Sequence, residues 1–227
     1  MSRRMILPLL FGLIGAAVLI GLGVWQMQRL AWKEGVLASI EARIGAAPVA
    51  LPAAPGKDAD QYLPVTFEGR FTGEGLDVLV SRKQLGAGYR VIAVVETDGR
   101  RILVDRGFLL QDQRDLARPG PDAGPARFTG NLLWPEEVDS FTPAPDAKTG
   151  LWFARDLPAM AKALNTEAVF VVLSAPTLGE TSIDPMAVTT ENIPNDHLGY
   201  AIQWFGLAAV WLGMTAYLLW RIRRRTV

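Results

Sequence analysis

The chain holds a single histidine, His197, at the head of a stretch that reads IPNDHLGYAIQWFGLAAVWLGMTAYLLWRIRRR over residues 193–225. An imidazole can ligate a metal or carry a proton. Wound as a helix at ~100° per residue, the stretch brings His197, Tyr200, Trp204, Ala208, Trp211 and Thr215 into an arc of roughly 80°. Gly206, Ala209, Gly213 and Ala216 fall on a second arc, roughly opposite. Small residues let membrane helices approach backbone to backbone. The second arc is therefore expected to pack on a helix, with Gly12, Gly15 and Ala16 near the other end of the chain as its match. The first arc would then present an imidazole, a phenol and two indoles. Two readings of it stay open on pattern alone. Its residues could be anchors at the membrane–water interface. They could also line a flat site for a large planar ligand at membrane depth, such as a haem with an apolar tail, since histidine is a common haem-iron ligand.

Other chemistry is thin. The chain has no cysteine, which removes thiolate metal sites, CxxC redox chemistry, disulfides and covalent c-type haem attachment. One histidine cannot build a multi-histidine zinc or copper centre within one chain. No phosphate-binding loop and no GxSxG turn occurs, and FTGEGLD (71–77) is too short and badly placed for a dinucleotide turn. Asp105 and Arg106 read as a structural ion pair on a strand. Glu136, Glu137 and Asp139 read as a solvated acidic loop. We therefore expect no enzyme and no nucleic-acid partner.

The elements that must position His197 are set by two apolar runs. Residues 5–24 and 198–220 carry no charge over 20 and 23 positions, enough to cross ~30 Å of hydrocarbon as helices. Bulky and charged residues, GVWQMQRLAWKE, follow the first run, so it is expected to be an uncleaved anchor and not a signal peptide. Formal charge is zero, but unevenly spread. Arg3 and Arg4 precede the first run, and Arg221, Arg223, Arg224 and Arg225 follow the second. All 23 acidic residues and the other 17 basic ones lie between. Ends of +6 around a middle of −6 place both termini in the cytoplasm and the middle across the bilayer. The expected setting is a bacterial inner membrane, with a two-pass chain and a periplasmic domain.

Leu30, Leu37, Ile40 and Ile44 keep helical spacing, so the first helix is expected to continue to Ile44. Trp25 and Trp32 fall seven apart on it, as an interfacial belt would. A Pro/Ala linker, GAAPVALPAAPG, covers 45–56. Strand patterns follow at 62–71, 76–82, 126–134 and 168–174. YRVIAVVETDGRRILVDRGFLL (89–110) reads as a hairpin turning at Asp98-Gly99. A short helix is expected over 154–164, opened by Asp156 with Pro158 in its first turn. The fold class is thus membrane-anchored α+β: two transmembrane helices flank a mostly antiparallel β domain, a sheet or partly closed barrel, with short helices. Its parts are residues 1–24, a helical extension and linker over 25–56, the β-rich domain over 57–197, and the second span with its basic tail over 198–227.

Four stretches carry a resemblance: GVWQMQRLAWKEGVL (23–37), GYRVIAVVETDGRRILVDRGFL (88–109), FTPAPDAKTGLWFARDLPAMAKAL (141–164) and IPNDHLGYAIQWFGLA (193–208). In this order, and with both spans, the chain resembles the Surfeit-locus protein one family, assembly factors of haem-copper cytochrome c oxidase in the respiratory chain. The resemblance implies a chaperone role in maturing oxidase subunit I where haem a is inserted, beside haem a synthase, and no reaction of its own. It also implies that the histidine opening the second span is the axial haem ligand, here His197. From their place on the same arc, Tyr200, Trp204 and Trp211 are expected to bind the cofactor with it, the hydrophobic tail lying along Trp204, Ala208 and Trp211, and Tyr200 or Met27 would be a weaker second ligand. The family's usual Pro-Asn-Asn-His reads Pro194-Asn195-Asp196-His197 here, and Asp196 either raises the basicity of the imidazole or is merely exposed. A haem-free scaffold holding subunit I and haem synthase together is the alternative.

Overall fold

The computed structural model describes residues 3–83, 85–116, 124–146, 148–177, 182–191 and 193–225. The side chains of Arg3, Arg4 and Arg225 lie outside the described residues. Two units emerge, one of residues 1–39 with 190–227, the other of residues 40–189.

The first unit is a pair of long helices, α1 (Arg3–Ile44) and the last helix of the chain, α4 (His197–Arg225). Both are long and apolar enough to cross a membrane. Only 11% and 6% of their most apolar windows are buried, so these are not the core helices of a soluble fold. Their apolar side chains need another solvent, and hydrocarbon is the one they match. Helix α1 ends at Ile44, where the apolar 3/4 spacing runs out and Gly45 follows.

The second unit begins with β1 (Val49–Ala50) inside the expected linker, then α2 (Lys57–Asp60). The strands β2 (Pro64–Arg82), β3 (Gly86–Thr97), β4 (Arg100–Leu110), β5 (Pro125–Leu132), β6 (Leu151–Trp152) and β7 (Phe170–Leu173) follow. A 3-10 turn, Gln111–Leu116, follows β4. Helix α3 (Leu157–Leu164) precedes β7. The hairpin of β3 and β4 turns at Asp98 and Gly99, both at positive φ (47° and 73°), as a two-residue turn of this hand requires. Helix α3 is capped by Asp156, whose side chain accepts from Ala159 N at 3.1 Å.

The expectation of separate strands at 62–71 and 76–82 is corrected. They form one 19-residue strand with a register shift between Phe71 and Gly75. β2 passes from one neighbour to another just before that irregularity: residues 64–70 pair with β5, and residues 70–71 and 75–82 with β3. The sheet is also mixed. Pairs β2–β3, β3–β4, β2–β5 and β5–β7 are antiparallel, whereas β1–β2, β2–β6 and β4–β7 are parallel. The result is a mixed sheet and not a closed barrel: the link between β5 and β7 spans only three residue pairs.

Both faces of the sheet's centre are covered. Ala93, Val95, Ile102, Val104 and Val171 pack with Phe67, Phe71 and Phe128. Their alternates Ile92, Val94, Leu103, Phe170 and Val172 pack under Leu157, Met160 and Ala161 of α3. Burial on two faces is why β3, β4 and β7 read as near-continuous apolar runs rather than alternating ones.

Candidate functional site

In the first unit α1 and α4 run antiparallel and share one seam. On α1 the buried positions Gly12, Ala16, Gly23 and Gln26 recur every three, four or seven residues, with Leu19 half-buried between them. This is the spacing of one helix face. Glycine is required at three points. A Cβ on Gly12 would overlap Thr215, one on Gly15 would lie 2.5 Å from the Trp211 indole, and one on Gly23 would lie 2.5 Å from the Phe205 ring.

The face of α4 that meets α1 is therefore the one with His197, Ala201, Ala208, Trp211 and Thr215. This corrects the expectation that Gly206, Ala209, Gly213 and Ala216 form the packing face: a Cβ on Gly206 or Gly213 would meet nothing within 4 Å, and Ala209 and Ala216 are exposed. The physical reason is that the small residues need to be on only one partner. Glycines on α1 open grooves, and large side chains of α4 fill them. The expected contribution of Gly12, Gly15 and Ala16 on α1 is present as read from the sequence.

The four residues expected around a ligand do not share one pocket. Trp211 donates its Nε1–H to the Gly12 carbonyl at 2.9 Å, and its ring lies 5.3 Å from that of Phe11. It lines two open apolar grooves, of about 940 Å³ with Leu7, Phe11, Ile14 and Leu218, and about 550 Å³ with Val18, Leu19 and Leu207. Neither groove is lined by His197, Tyr200 or Trp204. Fourteen residues separate Trp211 from His197, about 21 Å of helix. Trp204 is half-buried, and Tyr200 is 51% exposed.

His197 is the first residue of α4. It is half-buried, and its Nδ1 lies 2.8 Å from Oε1 of Gln26, which is only 8% exposed on α1. Sequence reasoning missed Gln26. The one signal is its spacing: Gln26 sits three residues after Gly23 on the small-residue seam. Asp196 is exposed, and its carbonyl accepts from Tyr200 N at 3.2 Å, inside the first turn of α4. Met27, offered above as a second ligand, is exposed on α1.

The second unit holds a buried charge cluster. Asp105 accepts from Arg90 Nη1 at 2.5 Å and from Gly107 N at 3.0 Å, with Arg155 Nη1 at 3.5 Å. Arg155 in turn engages Glu137 through its Nε at 3.0 Å. The expected Asp105–Arg106 pair is thus replaced. A bulge in β4, where Val91 faces Gly107 and Ile92 faces Asp105, takes Arg106 out of the ladder, and its guanidinium lies 5.0 Å over the Phe71 ring. Burial pushes the Asp105 carboxyl above its ordinary range, against the pull of Arg90 and Arg155. Burial also acts on Glu137, but the hydrogen bond and charge of Arg155 outweigh it and hold that carboxyl below its ordinary range. The acidic loop is not simply solvated. Glu136 pairs with Lys57, Glu137 with Arg155, and Asp139 caps the turn at Phe141 and Thr142.

Two membrane-length helices, joined at their seam by a histidine–glutamine contact, flank in sequence a domain built on a mixed sheet. The sequence model of the SURF1 family matches residues 13–209. Surfeit locus protein 1 of Rattus norvegicus is 32% identical, over 90% of this chain and 72% of its own length. Surfeit locus protein 1 of Homo sapiens is 31% identical, over 87% of this chain and 71% of its own. The SURF1-like protein of Rickettsia bellii is 29% identical, over 95% and 90%. The chain belongs to the SURF1 family.

Proposed function

We propose that the chain is a two-pass bacterial inner-membrane assembly factor for haem-copper cytochrome c oxidase, which binds or guards haem a for insertion into subunit I. It works beside haem a synthase, with both termini cytoplasmic and the sheet domain periplasmic. Its role is binding and not catalysis. Family membership and the resemblance of the four stretches support the oxidase. The observation that carries the haem reading is the setting of His197. An axial imidazole needs a lone pair on one ring nitrogen and an acceptor for the N–H of the other. Gln26 Oε1 is such an acceptor at Nδ1, so the residues fit the group. Haem a, when bound, supplies the iron that the oxidase later uses for electron transfer. His197 would hold it, and apolar side chains of α4 would cover its tail. The groove residues around Trp211 lie too deep to touch a ring at His197, so of the four expected residues Trp211 would meet only the tail.

The test is expression in cells that make haem a. The parent chain should copurify with a haem a absorption band, and His197→Ala should lose most of it while still inserting in the membrane. Equal haem in both would leave the scaffold role in its place.

A further inference from the structure

We propose that Gln26 is the positioning residue of His197: it fixes which imidazole nitrogen carries the proton and so leaves Nε2 as the ligating atom. The inference rests on the haem reading for its purpose, but its geometry stands apart from that reading. Gln26 is a buried amide on a helix whose other seam residues are glycine, alanine and leucine. A polar side chain at such a place is costly unless bonded. Its Oε1 faces His197 Nδ1 at 2.8 Å. A carboxamide oxygen can only accept, so with the Gln26 amide in this orientation Nδ1 donates and the neutral ring has its lone pair on Nε2. In metal-binding histidines the partner of the second nitrogen sets tautomer, ring orientation and basicity. The Gln26 backbone is in turn positioned by Gly23 one turn earlier, where only glycine clears the Phe205 ring.

Because the chain has one histidine, the tautomer is directly readable. The full-length chain in lipid nanodiscs, labelled with ¹⁵N-imidazole histidine and free of haem, should show a protonated Nδ1 and an unprotonated Nε2. Gln26→Leu keeps the helix apolar and removes the acceptor; it should shift the spectrum towards the other tautomer. Gln26→Glu retains an acceptor and should keep the parent pattern. Titrated with haem a, Gln26→Leu should bind about 10–100-fold more weakly than the parent, with Gln26→Glu close to the parent. A haem-free spectrum in which Nδ1 is unprotonated, or in which Gln26→Leu changes nothing, overturns the proposal. Haem binding that survives His197→Ala overturns the functional reading instead, and the haem-free spectra still decide the role of Gln26.

Discussion

Placing valine at position 15 tests the helix seam more sharply than any other substitution. A Cβ there would come 2.5 Å from the Trp211 indole. The indole cannot turn aside without giving up its 2.9 Å bond to the Gly12 carbonyl. Overpacking costs about 1–3 kcal/mol, and an interhelical bond in a membrane about 0.6–1.7 kcal/mol. Gly15→Val should therefore weaken pairing of α1 and α4 by on the order of 2–4 kcal/mol, or about 30- to 700-fold at 1.4 kcal/mol per tenfold. Gly213→Val points into open space and should cost under about 0.5 kcal/mol. The chain has no cysteine of its own, so a pair can be added at Leu19 and Ala208, which lie on the seam between the Gly15–Trp211 and Gly23–Phe205 approaches. The equilibrium of this disulfide against a dithiol buffer then reads the effective concentration of the two helices. Equal losses in the two variants, or a larger loss for Gly213→Val, would refute the assigned seam.

Further outcomes follow from the sheet domain and from the charge asymmetry. Phe141 is 90% exposed, so Phe141→Cys should react with a membrane-impermeant maleimide in intact spheroplasts, and Arg223→Cys should react only after lysis; the reverse pattern would invert the topology. Glu137 is held below its unfolded value of about 4.3, so its contribution to stability is present above that pH and is lost as pH falls through the folded value. Protection factors of β4 amides, corrected for the intrinsic exchange rate at each pH, should fall on acidification, and Glu137→Gln should flatten that dependence; an unchanged profile in the variant would assign the acid sensitivity elsewhere.

Local signals survived intact. The apolar spacing of α1 carries it to Ile44, Asp98-Gly99 makes the hairpin turn, and Asp156 caps α3 with Pro158 behind it. Each depends on neighbours within a few residues. Non-local pairing was not legible. Nothing in FVVL indicates that β7 lies parallel to β4, and nothing in VA indicates that residues 49–50 pair with β2. The strand patterns at 62–71 and 76–82 do not show that they join; Gly75 sits where a Cβ would overlap the Ile92 carbonyl, so the strand continues past a close approach. His197 was found by its uniqueness. Its partner was not, because polar residues near a span's end are common. The packing face of α4 is not legible from small residues alone, because its seam mixes buried Ala201 and Ala208 with the large Phe205 and Trp211 that fill the glycine grooves of α1.

The proposed haem site depends on His197, and one titration decides it. Purified full-length chain in nanodiscs, free of haem, is titrated with haem a and followed in the Soret region beside His197→Ala. The predicted result is a saturable, histidine-ligated spectrum in the parent chain, which His197→Ala loses while its circular dichroism matches that of the parent. Superimposable titrations of the two proteins would contradict the account.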